Sequence, residues 1–418
     1  MFFSFWPLKE EFSRTRKDLV TDFIAGLTVA IVALPLAIGF GITSGMSAAA
    51  GLTTAIIAGF LAAIFGGSKY QVSGPTGAMT VILIPVVRHY GAAAIPALGL
   101  MAGMMVIAMG IFKLGAFINR VPWTVIEGFT VGIAIIISLQ QIPLALGITK
   151  GAGEKSYAVA WNTLKDASHA GLNYSSLLTV LITLIIKFSW PQLSSRIGLK
   201  RHIPGSFIAL LLVTLLVKAF SIDIATIGNI PRSLGTYQKP IFDNLTALLL
   251  PALWIALLAA VESLLSARVA DGLAHSKEHF EPNRELFGQG LATLAASLFG
   301  GMPATGAIAR TSVNVRSHAT SRMASVFHAL VLLFIALIAA PLVSQIPTAV
   351  IAGLLLGTSY RILNPASIME SLRTTKAEAA TLIVTAISTV AIDLIWGMAI
   401  GIALHMILAH YSKKPSAI

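Results

Sequence analysis

Two short clusters of glycine, threonine and small apolar residues carry the chain's clearest chemistry. One reads Thr76-Gly77-Ala78-Met79, with Ser73 just before it. The other reads Thr305-Gly306-Ala307-Ile308 and runs through Ala309 to Arg310. Each opens a short segment at a Gly/Pro/Thr cluster, so each reads as a helix that starts within the apolar region. The first N–H groups of a helix have no intrahelical partner. With the helix dipole they attract an anion. Ser73, Thr76 and Thr305 add hydroxyl donors, and Gly and Ala let a ligand approach backbone. Gly and Pro also serve close packing in membrane helices; two clusters at equivalent places favour a site.

Glu262 lies in the apolar run TALLLPALWIALLAAVESLLSA. An ionisable group at such depth is costly and is a functional candidate by default. It can carry a proton, or with Ser266 and a freed carbonyl hold Na⁺; a structural hydrogen bond to a neighbouring helix is the competing account. Ser263 and Ser266 are expected to bond their own helix backbone. Arg310 has three options: charge behind the anion, a pair with Glu262, or snorkelling towards cytoplasmic water. Glu127 is expected at the interface and Asp393 as a structural partner. His275 and His279 flank charged residues in a loop and read as a solvated face. No metal-ligand spacing occurs and Cys is absent, so metal, disulfide and thiol chemistry are not expected. No H-E-x-x-H pair or nucleophile–base set appears, which argues against an enzyme. No cofactor is expected beyond a coupling H⁺ or Na⁺.

These residues need a scaffold, and composition names it. The 418 residues are 56% hydrophobic and 11% charged, with mean hydropathy +0.84. A soluble domain carries about 25% charged residues. Apolar runs of spanning length recur throughout, without the alternation of a β-barrel. The expected fold is an all-α polytopic membrane protein of fourteen segments centred near 33, 57, 81, 102, 130, 180, 212, 254, 292, 310, 333, 354, 383 and 400. Those near 81 and 310 are half-helices. Residues 1–20 read as an amphipathic cytoplasmic lead, and about 140–172 as the longest external loop. Seven of the 29 lysines and arginines (Arg88, Lys150, Lys155, Lys165, Lys218, Arg232 and Lys239) fall on external loops. Arg310 lies in a segment and the rest are assigned to cytoplasmic loops. This bias predicts a multi-pass protein of the cell membrane with both termini cytoplasmic, and it explains the +12 net charge without nucleic acid.

The chain also repeats itself. Phe65-Gly66-Gly67 returns as Phe299-Gly300-Gly301. Pro122-x-x-Val125-Ile126-x-Gly128-x-x-x-Gly132 returns as Pro347-x-x-Val350-Ile351-x-Gly353-x-x-x-Gly357. Seven segments per half make the halves inverted: a first repeat over 21–222 and a second over 243–411. The two half-helices then meet head to head near the midplane, as in a secondary transporter.

At these residues the chain resembles the SulP (sulfate permease) anion-transporter family. The matching stretches are QVSGPTGAMTVI (71–82), AAVESLLSARVADG (259–272), NRELFGQG (283–290) and GGMPATGAIARTSVNVRS (300–317). The resemblance implies a 7+7 inverted repeat, with a core domain over about 21–118 and 243–343 and a gate domain over about 119–222 and 344–411. It implies elevator-type movement of core against gate, and usually a homodimer. It places the anion against Ser73, Thr76, Gly77 and Ala78 on segment 3 and Ala307, Ile308, Ala309 and Arg310 on segment 10. It makes Glu262, with Ser266, the coupling-ion position, and Ala33-Leu34-Pro35-Leu36 a cavity wall. Glu262 with Ser266, where Na⁺-coupled bicarbonate members resemble Asp with Thr, favours protons. The cytoplasmic STAS domain usual after the last span is not found before Ile418. The expected activity is cation-coupled symport of sulfate, bicarbonate or a dicarboxylate. The alternatives are an anion channel or exchanger, and a nucleobase permease of the same fold.

Overall fold

The computed structural model describes residues 11–12, 15–116, 121–196, 204–228, 230, 232–243, 245–276, 279–363, 365–392 and 394–412. Most of the 1–20 lead and Asp393 lie outside them. In chain order the helices are α1 (Arg16–Thr43), α2 (Ala48–Phe65), α3 (Gly77–Tyr90), α4 (Ile95–Ile111), α5 (Trp123–Gln140), α6 (Ile142–Leu146), α7 (Ser156–Ala170), α8 (Tyr174–Arg196) and α9 (Gly205–Ala219). They continue as α10 (Leu245–Ala274), α11 (Pro282–Leu298), α12 (Ile308–Arg316), α13 (Met323–Ile338), α14 (Ala340–Val343), α15 (Thr348–Leu363), α16 (Pro365–Thr374), α17 (Lys376–Ala391) and α18 (Leu394–Ser412). Each of the fourteen expected centres lies inside a helix. Among the described residues six helices are long and apolar enough to cross a membrane: Arg16–Thr43, Ala48–Phe65, Ala92–Ile111, Trp123–Leu146, Tyr174–Arg196 and Leu245–Ala274. Gly77–Tyr90, Gly205–Ala219, Met323–Ile338 and Trp396–His410 are apolar but shorter.

Helix is the form such a chain can take in hydrocarbon, because it satisfies every interior backbone group within the segment. The polar side chains inside it comply. Thr28, Thr43, Thr54, Thr183 and Thr385 each donate to the carbonyl four residues back. Small residues bring the backbones together. A Cβ at Gly51 of α2 would lie 1.9 Å from the Ala37 carbonyl of α1.

The chain forms two compact units, 1–118 with 175–354 and 119–174 with 355–418. Helices α8 and α9 fall in the first. Lys187, assigned to a loop, is instead 1% exposed inside α8 and donates to the Leu354 carbonyl. A long apolar stem gives a lysine enough reach to stay bonded within a helix bundle.

Carboxylates tie the loops of the first unit. Asp22 accepts from the N–H and hydroxyl of both Thr320 and Ser321, at 2.6–3.2 Å. Glu285 accepts from the N–H of Gly67 and Ser68 and from the Gln71 amide. Glu11 takes both Nη groups of Arg284, at 2.7 and 2.8 Å, and Nη2 of Arg322 at 3.1 Å.

In the second unit α5 packs on α17, with Gly128 and Gly132 against Leu382, Thr385 and Thr389. Glu127, expected at the interface, is 8% exposed and accepts from the hydroxyls of Ser367 and Ser371, one turn apart on α16. The long loop after α5 holds α7 rather than being irregular throughout. Its exposed Tyr157, Trp161 and Leu164 recur at helical spacing.

Candidate functional site

All the candidate residues lie in the first unit. Here the sequence predicts two half-helices, and the structure adds what holds them together. β1 (Ser73–Gly74) and β2 (Thr305–Gly306) form an antiparallel pair, with Ser73 opposite Gly306 and Gly74 opposite Thr305. Neither two-residue strand is legible by alternation, which needs four or more residues. The pairing is extended by the Ala307 N–H, which donates to the Val72 carbonyl at 2.9 Å. α3 and α12 begin directly after this ladder.

The two starts differ in detail. Thr76 caps α3 in an extended conformation, its hydroxyl accepting from the Met79 N–H at 3.4 Å. Ala307 caps α12 without any side-chain bond. Among the described residues, the N–H groups of Gly77, Ala78, Ile308, Ala309 and Arg310 find no backbone acceptor.

Glu262 of α10 bridges the starts. Its Oε2 accepts from the Thr305 hydroxyl at 2.6 Å and from the Thr76 hydroxyl at 3.0 Å. The two hydroxyl oxygens are 3.2 Å apart. Each hydroxyl owns one proton, so with both given to the carboxylate the oxygen–oxygen approach is a contact and not a third bond. Ser263 anchors the same region by accepting from the Gly306 N–H at 2.9 Å. Ser266 donates to the Thr311 hydroxyl at 3.0 Å, and Thr311 accepts from the Val72 N–H. Among the described residues neither serine bonds its own helix, contrary to expectation, because the ladder and α12 offer them closer partners.

Arg310 does not snorkel. It is 1% exposed, and its Nη2 donates to the Pro75 carbonyl at 2.6 Å. It makes no direct ion pair with Glu262 among the described residues; the two interact through space. Residues directly opposite in an antiparallel pair share a face. Gly74 therefore faces the same way as Thr305, whose hydroxyl meets Glu262. A Cβ on Gly74 would lie 2.5 Å from Arg310 Nη1, and its φ is +156°. Arg310 thus lies on the ladder face that carries Glu262, resting on bare backbone. The other face carries Ser73, whose hydroxyl donates to Gln289 at 2.7 Å, and Gly306, covered by the Gln71 amide.

The structure therefore gathers Thr76, Gly77, Ala78, Thr305, Glu262 and the start of α12 through Arg310. It turns the hydroxyls of Ser73 and Ser266 to Gln289 and Thr311. Gln71, Gln289 and Thr311 had no sequence signal beyond membership of the matching stretches. Ala33, Leu34, Pro35 and Leu36 are buried in α1, which packs against both α3 and α12.

With this geometry in view, the model of the Sulfate permease family matches residues 19–385. The chain belongs to that family. YvdB of Bacillus subtilis is 41% identical over 391 residues, covering 92% of this chain and 72% of the relative. The bicarbonate transporter BicA of Picosynechococcus is 33% identical over 404 residues, covering 92% of this chain and 69% of its own. The solved transmembrane domain of a cyanobacterial BicA superposes with a TM-score of 0.79 at 30% identity, covering 94% of this chain and 98% of that one. The chain is a mostly helical, multi-pass membrane protein of a transporter family.

Proposed function

We propose that this protein is a secondary transporter of small anions, bound where α3 and α12 begin. The observation that carries the reading is the meeting of two helix starts, both with unpaired N–H groups, across one ladder that also bears a buried guanidinium. Bare N–H groups and a fixed cation in a low-dielectric setting select negative charge. The binding set is Thr76, Gly77, Ala78, Thr305, Ala307, Ile308, Ala309 and Arg310. Ser73 acts from the far face, holding the strand. No acid stands on α12, which disfavours a nucleobase and its ring N–H groups.

Glu262 couples the anion to a cation. While it is ionised it takes the Thr76 and Thr305 hydroxyl protons. A proton or Na⁺ arriving at the carboxylate frees those hydroxyls to donate to the anion. Anion and cation then bind together, which is symport. The fourteen segments form a 7+7 inverted repeat, and a core carrying the site moves as an elevator against a gate, in a homodimer with cytoplasmic termini. Sulfate and bicarbonate are the first substrates to try.

The test is uptake by purified protein in liposomes, with labelled sulfate, bicarbonate, chloride and dicarboxylates under imposed pH or Na⁺ gradients. Gradient-driven accumulation of one anion is expected. Currents with no stoichiometric cation would instead make the protein a channel.

A further inference from the structure

Behind the ladder sits a group that the site as described does not use. His328 on α13 is fully buried, at 0% exposure. Among the described residues neither of its ring nitrogens has a hydrogen-bond partner, and Arg310 Nη1 has none either. An imidazole carries a donor and an acceptor even when neutral, and leaving both unmade in the interior is costly. An unpaired guanidinium nitrogen in an apolar surrounding costs more. Buried orphans of this kind call for water or an ion. What the three orphans share is a neighbour, strand β1. A Cβ on Gly59 of α2 would lie 3.4 Å from His328 Nδ1, 3.4 Å from its Cε1 and 3.4 Å from the Ser73 carbonyl. A common neighbour at that distance puts the ring edge beside the β1 backbone. The Arg310 guanidinium rests on the next residue, Gly74, and acts on the ring electrostatically. The set mixes donors (Arg310 Nη1, one ring N–H) with acceptors (the other ring nitrogen, the Ser73 carbonyl). That mixture suits water, which donates and accepts, better than an ion of either sign.

We infer that an enclosed water site lies between the His328 ring, the Ser73 carbonyl and Arg310 Nη1, and that through it His328 positions the guanidinium against Gly74 and Pro75. His328 is a positioning residue; it does not touch the anion. The inference rests on the reading of Arg310 as the fixed cation of the anion site.

The experiment measures uptake KM and maximal rate in liposomes for wild type, H328L, H328Q, G59A, R310A and the H328L/R310A double variant. H328L is expected to raise KM about tenfold, with maximal rate changing less. H328Q, which keeps a donor and an acceptor, restores KM to within about threefold of wild type. G59A places a methyl between ring and carbonyl at ordinary contact distance. It displaces the water without disturbing the fold, so it is expected to raise KM as H328L does. G59A also keeps the inference testable if H328L does not fold. In the R310A background H328L adds nothing, because its effect passes through Arg310. A wild-type KM in G59A, or equal H328L effects in both backgrounds, overturns the water site and leaves the reading of Arg310 standing. A wild-type KM in R310A removes that reading and the inference with it.

Discussion

The two helix starts were written alike and are wired differently. Thr76-Gly77-Ala78 and Thr305-Gly306-Ala307 are echoes in sequence. In space the first threonine is itself the cap of α3, bonded to that helix's own Met79 N–H. The second stands three residues ahead of its helix, in β2, and α12 starts without a side-chain cap. What α12 lacks in self-satisfaction it receives from α10, through Ser263 on Gly306 and Glu262 on Thr305. α3 caps itself as well as meeting Glu262; α12 relies on another segment and carries the charge. The same motif thus gives one self-capped start and one that leans on a neighbouring helix.

Breaking the α12 side is expected to have the largest effect. Thr305→Leu should abolish uptake while the protein still folds, since Thr305 is fully buried and makes the shorter bond to Glu262. Normal uptake, measured beside a thermal melt, would sink the half-helix site. Glu262→Gln should come next. It removes the dependence of uptake on the imposed pH or Na⁺ gradient, because an amide cannot take up the coupling cation by changing charge. Uptake that still follows the gradient would reject the coupling role.

Arg310→Ala should raise KM about tenfold, equivalent to about 1.4 kcal/mol. Gly74→Ala sharpens that result, because its methyl would meet Nη1 at 2.5 Å and its φ of +156° disfavours a side chain. It should reproduce part of the Arg310→Ala loss with the charge still present; an unchanged KM would mean the guanidinium's position is immaterial. The smallest effect belongs to the self-capped side. Thr76→Ala removes a cap worth about 0.5–2 kcal/mol and the longer bond to Glu262, so it should lower thermal stability and raise KM only a few-fold. A larger loss at Thr76 than at Thr305 would reverse the comparison.

Much of this was legible beforehand, for reasons that can be named. Apolar runs without a barrel's alternation announce helices, because helix and closed barrel are the forms a membrane allows the backbone. Gly and Thr at two matching places announced interrupted helices, and Glu262 stood out because a carboxylate in an apolar run is expensive. Arg310 was found but its direction was not. Snorkelling is decided by whether a polar acceptor is near, and the Pro75 carbonyl is 235 residues away in sequence. The partners of Ser263 and Ser266 are hidden for the same reason: a local acceptor is always visible in sequence, a distant one is not. His328 and Lys187 gave no pattern at all.

The sequence by itself determined the environment, the segments and the two places where helices restart, since each follows from local composition and spacing. Only the tertiary structure decided that those places share one ladder, that Gly74 and Thr305 put Arg310 and Glu262 on one face of it, and that both threonine protons go to a single carboxylate. Such facts depend on which residues become neighbours across 43 to 235 positions of chain. Hydrogen bonds, unlike hydrophobicity, have no meaning until the partner's place is fixed.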